Sequence, residues 1–303
     1  MDDCAAAKLG LLVMYAWDMC DDDLSPTSSK VDPRIASDGW DVVGIITGAD
    51  DVVTSGTEGI RQQRIGAGRD NDRKRYGYVA RNRMAPGQYV VAIRGTDGAE
   101  EWFDDFVFIM KSPGGEFVGN VDTGFFDIYE SLQYFPLNAP DESVPLVQGI
   151  ENTVGTTGTV QVLGHSLGSA LATYLTFALT SPKSLGRNRG SALLFASPKT
   201  GDHDFVGAFD KQVDEYLIIN YEHDLVPQVP PFDITHIDIY RALPACMVIT
   251  DETAKVKVKN DDKACCHHLI CYIAMLCPEV FQKTKGTTGW TGDDESCASC
   301  ITS

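Results

Sequence analysis

Gly164-His165-Ser166-Leu167-Gly168 is a G-x-S-x-G pentapeptide. A serine on a sharp strand-to-helix turn, flanked by glycines, lets strand and helix pass close together and thrusts its Oγ out of the sheet. The backbone N–H of Leu167 and the helix start then face an oxygen that becomes negative as a carbonyl is attacked. The chemistry such a turn serves is acyl transfer through a serine nucleophile. The pattern alone is weak, because Gly and Ser are common residues. Its flanks strengthen it. Val160–Leu163 reads as a buried strand, and Leu167, Ala170, Leu171, Tyr174, Leu175 and Ala178 fall at helical spacing before Ser181-Pro182. The plainer reading is a tight turn that merely needs glycines.

A serine nucleophile needs a base, and the base needs an orienting acid. Asp224 directly follows the strand predicted at Tyr216–Asn220. Loops after strand ends line the crevice of an α/β sheet, so Asp224 falls at the edge that carries Ser166. A lone loop aspartate is otherwise a turn cap. Histidines stand at 165, 203, 223, 236, 267 and 268. His267 and His268 open a late helix, His267–Leu276, from which a side chain can reach back to the crevice. The residues alone do not choose between them.

The elements that must position these groups alternate. Gln88–Ile93 reads as a strand running into Arg94-Gly95-Thr96, and Ala192–Phe195 as a further buried strand. Leu9–Trp17 reads as a first helix packed on the body. Residues 20–75 read as loops around short elements such as Asp41–Thr47. Cys246–Thr250 and Lys255–Lys259 flank Asp251-Glu252-Thr253, which suggests a hairpin. Strands alternating with helices give an α/β class, with a mostly parallel central sheet flanked by helices.

Composition narrows the partners. The 303 residues carry 25 Lys+Arg against 43 Asp+Glu, a formal charge of -18. That sign repels a phosphate backbone, so nucleic acid is not the expected partner. No stretch reaches the roughly 18 apolar residues of a transmembrane segment. Acids flank Leu9–Trp17 on both sides, so it does not read as a secretory leader, and the chain as given reads as cytoplasmic. If Met1 opens a mature chain whose leader has been removed, the protein reads as secreted. Nine cysteines leave at least one thiol unpaired, and six of them lie between 265 and 300. Their spacing does not fit a structural zinc site, so disulfides or buried thiols are expected and no metal. Asp70-Asn71-Asp72 starts like a calcium loop but lacks the required Gly and Glu.

Five blocks, in order, resemble the class 3 lipase family, the fungal-lipase-like α/β-hydrolases. Val90–Thr96 with Trp102 and Asp105 is similar to V/F-A/F-R-G-S/T-x5-W-x2-D. Val121–Phe125 with Tyr129 is similar to V-H-x-G-F-x3-Y. Gly164–Gly168 is the third block. Phe195–Asp202 resembles F-G-x-P-R-V-G-N/D, and Asp224–Pro230 resembles D-I/V-V-P-x-L/V-P. The resemblance implies an α/β-hydrolase fold spanning one domain, 1–303, with Ser166 as nucleophile and Asp224 as acid. It implies Thr96 and Leu167 as oxyanion residues, and a lid over 97–111 whose apolar face includes Trp102, Phe103 and Phe106. Cys266–Tyr272 resembles the H-x-L-x2-Y end block of plant-type members, which selects His267; the fungal pattern, with His directly before Leu, selects His268. His236 matches a non-catalytic histidine. Three positions depart from the family pattern: Asp122 for His, Ser169 for Gly and Ala196 for Gly. The implied reaction is hydrolysis of acylglycerol esters, with a neutral lipid or ester substrate at a lipid–water interface and no cofactor. Phospholipase A1 or soluble-ester activity on the same triad, and a catalytically silent binding protein, are the alternatives.

Overall fold

The computed structural model describes residues 1–21, 28–49, 73–95, 108–230 and 239–302. Its largest sheet has nine strands. In chain order they are β1 (Trp40–Ala49), β2 (Arg73–Asn82), β3 (Gln88–Ile93), β6 (Gln133–Pro136), β7 (Val144–Pro145), β8 (Thr159–His165), β9 (Gly190–Phe195), β10 (Tyr216–Tyr221) and β11 (Cys246–Ile249). They lie in the order β11-β10-β9-β8-β3-β2-β1-β6-β7. The half from β3 to β11 is parallel, and the rest is antiparallel. The parallel half carries the pentapeptide. Its strands are apolar runs because both faces are covered.

Successive side chains of a strand point to opposite faces. Leu163, Leu193, Phe195 and Ile219 pack with the helices Asp3–Asp21 and Leu269–Leu276. Val162, Leu194 and Ile218 pack on the other face with the helix Leu167–Thr180. Every residue of that helix is buried, because sheet and outer elements enclose it.

Asp3–Asp21 forms as the Leu9–Trp17 run predicts. A Cβ added at Gly10 would stand 3.1 Å from Ile273 Cγ1, so this glycine marks where the first and late helices cross. A disulfide, Cys4–Cys277, joins the same two regions across 273 residues of sequence, and a second, Cys265–Cys300, closes the C-terminal part.

Three elements differ from expectation. The late helix is two helices, Lys263–His267 and Leu269–Leu276, broken at His268, whose φ of -59° and ψ of 128° are extended. The hairpin does not form. Cys246–Ile249 adds to β10 in parallel, and Lys255 N–H donates to Met275 O at 3.0 Å, drawing the chain away. Lys257–Val258 (β12) then pairs with Ile301–Thr302 (β13). Finally, β2 occupies a stretch begun by Arg73-Lys74-Arg75, whose polar side chains hide the continuous buried run from Arg75 to Ala80.

Beneath the first helix lies a buried charge cluster. Arg34 pairs with Asp18 and Asp32, with Asp294 at 3.7 Å. Burial, and then Asp294, pushes the Asp18 carboxyl up to about 7. A carboxyl raised above its unfolded value stabilises the fold most at low pH, and that contribution fades as pH rises through the window from about 4 to 7. The wild type should therefore lose melting temperature relative to Asp18→Asn as pH climbs across that window. A difference between the two that stayed constant from pH 4 to pH 8 would contradict it.

Candidate active site

The strand β8 ends at His165, and Ser166 turns the chain with φ 59° and ψ -128°. A non-glycine residue at positive φ is strained, so the surrounding contacts must impose it. They are visible. Ser166 N–H donates to Phe195 O at 3.0 Å. A Cβ on Gly164 would meet Gly168 O at 2.3 Å, and one on Gly168 would meet Ile93 O at 2.4 Å. Strand, turn and helix thus pass in backbone contact with the end of β3, which only glycine permits.

The side chains complete a chain of hydrogen bonds. His267 Nε2 lies 2.8 Å from Ser166 Oγ, and His267 Nδ1 lies 2.9 Å from Asp224 Oδ2. Asp224 follows β10 and accepts from Val226 N–H at 2.9 Å through Oδ1. Tyr272 OH donates to Asp224 Oδ2 at 2.6 Å, while accepting from Tyr221 N–H at 2.9 Å. All three members are buried. Burial, and then Asp224, holds the Tyr272 phenol well above its ordinary value, so it remains a donor. Such an array supports proton transfer away from a serine hydroxyl: the acid fixes the imidazole and faces the charge it gains.

Of the two candidate histidines, it is His267 that is hydrogen-bonded to both Ser166 and Asp224. His268 sits at the break between the two helices, and burial, then His267, lowers its pKa. Leu167 opens the helix, where its N–H has no intrahelical acceptor. Thr96, Trp102, Phe103, Phe106 and His236 lie outside the described residues. Of the expected lid, 108–111 is described. Thr123 N–H donates to Ile109 O at 2.7 Å, Met110–Lys111 (β4) pairs with Val121–Asp122 (β5), and Phe108 meets Phe125 and Tyr240 edge-on.

The three departures acquire physical content. Asp122 caps the helix Thr123–Ser131 and accepts from Tyr240 OH at 2.8 Å; burial pushes its carboxyl up to about 6. Ser169 Oγ donates to Phe195 O at 2.7 Å, the same carbonyl that takes Ser166 N–H. Ala196 sits at φ 50°, a conformation that costs a side-chain-bearing residue roughly 1–2 kcal/mol.

The sequence reading missed two groups. Tyr272 was visible only as the last letter of a block, without its role on Asp224. His165 Nε2 lies 2.8 Å from the backbone carbonyl of His267. No local pattern announces a contact between residues 102 positions apart.

Residues 90–234 match the family model described as Lipase (class 3). That stretch, just under half of the chain, is similar to class 3 lipases. A rice protein, Phospholipase A1-II 2 (Oryza sativa subsp. indica), is 27% identical over 229 residues, covering 67% of this chain and 52% of that one. A second, Phospholipase A1-II 1 of the same subspecies, is 34% identical over 157 residues, covering 46% and 39%. The chain thus spans about half or less of the length of these curated relatives. Among solved structures, M37 lipase matches with a TM-score of 0.60 at 18% identity, covering 96% of this chain and 98% of that one. The Rhizomucor miehei lipase propeptide complex matches with a TM-score of 0.55 at 19% identity, covering 82% and 68%. At such identities the likeness establishes the α/β-hydrolase fold.

Proposed function

We propose that this chain hydrolyses carboxylic esters, chiefly acylglycerols, through an acyl-enzyme on Ser166. The observation that carries the reading is the unbroken run of hydrogen bonds from Ser166 Oγ through His267 to Asp224. His267 Nε2 takes the Ser166 proton as Oγ attacks the ester carbonyl. The tetrahedral oxyanion accepts from the Leu167 N–H and from Thr96. His267 returns the proton to the leaving alcohol oxygen, and the C–O bond breaks. Water then attacks the acyl-enzyme by the same steps, releasing the fatty acid and restoring Ser166. Residues 97–111 serve as the lid, with Trp102, Phe103 and Phe106 on its apolar face. The chain works as one catalytic domain, and this chemistry needs no cofactor.

The charge of -18 favours neutral lipids over anionic surfaces. A second reading, phospholipase A1, is favoured by the names of the rice relatives. Rates on triolein emulsion, phosphatidylcholine vesicles and p-nitrophenyl acetate separate the two. Triolein should be cleaved fastest. Faster release from phosphatidylcholine would select the second reading, and a folded protein inert on all three would overturn both.

A further inference from the structure

The hydrolytic steps leave one buried titratable group beside the base unused. The His165 ring is 4% exposed. Its Nε2 lies 2.8 Å from His267 O, and its centroid lies 4.7 Å from the His267 ring, with the planes 35° apart. Trp17 and Tyr272 meet it edge-on at 6.4 and 6.3 Å. A carbonyl only accepts, so Nε2 carries the hydrogen. Nδ1 is buried with no hydrogen-bond partner among the described residues. A second proton there would be a buried charge without a counter-ion. Burial first, and then His267 and His268, hold this ring's pKa well below its ordinary value. The ring is a neutral donor with one fixed tautomer.

We propose that His165 is a positioning residue for the base: its Nε2–H anchors the backbone carbonyl of His267, and its ring backs the imidazole that joins Ser166 to Asp224. The proposal rests on the hydrolase reading above. His267 needs such an anchor. It ends a five-residue helix, and the extended His268 interrupts the ladder. A carbonyl at a helix end lacks an intrahelical donor. The anchor also places the serine and the base under one constraint, since His165 and Ser166 are adjacent. Neutrality completes the argument. His267 becomes an imidazolium during turnover, and a second cation 4.7 Å away would oppose it. Among the described residues, the ionisable groups around His165 are His267, His268 and Tyr272, with Arg94 over the ring of Trp17.

The test compares His165→Gln, His165→Asn and His165→Phe in the full chain. Turnover of p-nitrophenyl butyrate is measured per serine labelled by a fluorophosphonate, with thermal unfolding run alongside. The Gln amide nitrogen lies as many bonds from Cα as Nε2 and can donate to the same carbonyl. The Asn amide is one methylene short, and Phe keeps the ring without the donor. The Asn and Phe variants should lose about 10- to 100-fold in kcat with KM within about twofold, as expected for a misplaced base. Gln should retain kcat within about fivefold of wild type. Wild-type kcat in the Asn and Phe variants, or a loss in Gln as deep as in Asn, would overturn the positioning role. Failure of the wild-type Ser166 to take the label would instead bring down the hydrolase reading, before any variant is compared.

Discussion

Replacing Ser166 with alanine should lower ester turnover by about a million-fold, the scale on which a serine nucleophile is lost. The hydroxyl is the atom that forms the acyl bond, and nothing beside it can substitute. His267 is held 2.8 Å from Oγ and is aimed at that oxygen. The fold should tolerate the change. Ala196 already occupies φ 50°, close to the 59° of Ser166, so alanine can hold the turn. Mass spectrometry after fluorophosphonate treatment should find the adduct on Ser166 in the wild type and nowhere in the variant. Activity within tenfold of wild type would rule out the acyl-enzyme.

Asp224→Asn should reduce kcat by about ten-thousand-fold, because the base is then held in the wrong tautomer. The environment makes the change severe. Oδ2 receives both His267 Nδ1 and Tyr272 OH, and Oδ1 receives Val226 N–H. Three donors converge on one carboxylate, whereas an amide offers only one accepting atom. With its oxygen towards His267, the amide nitrogen faces Val226 N–H. Turned over, it faces the imidazole and the phenol. Either way a buried donor meets a donor, at a cost of about 1–3 kcal/mol in stability as well. Steady-state rates and melting curves on the one variant read both effects. A fall in kcat of less than tenfold would mean that Asp224 does not orient the base.

How far these residues could be read in advance depends on where their information lies. Ser166 was legible because its requirement is local: two glycines, an apolar strand before, apolar residues at helical spacing after. β3, β8, β9 and β10 were legible because strands covered on both faces are apolar runs. β2 was not, since Arg73, Lys74 and Arg75 read as surface although Arg75 is buried. The hairpin failed because the partner of Lys257–Val258 is Ile301–Thr302, which no short window contains. The choice between His267 and His268 turned on a single extended residue. Adjacent positions on a continuous helix point about 100° apart, so the break at His268 decides which ring faces the serine. The roles of Tyr272 and His165 exist only across the fold. Thr96, Trp102, Phe103 and Phe106 keep their sequence-based assignment, as they lie outside the described residues.

The Cys4–Cys277 bond has a topological meaning. It closes most of the polypeptide into a ring whose joined ends are 273 positions apart in sequence, with serine, acid and base all on its circumference. A chain so closed cannot lose its connectivity on melting. In the chain-entropy account, a loop of this length forgoes about 5–6 kcal/mol of unfolded-state freedom. Two populations of this protein could thus share every catalytic distance and still differ in lifetime. Oxidant supply during folding, rather than anything at the serine, would set how long each molecule goes on turning over.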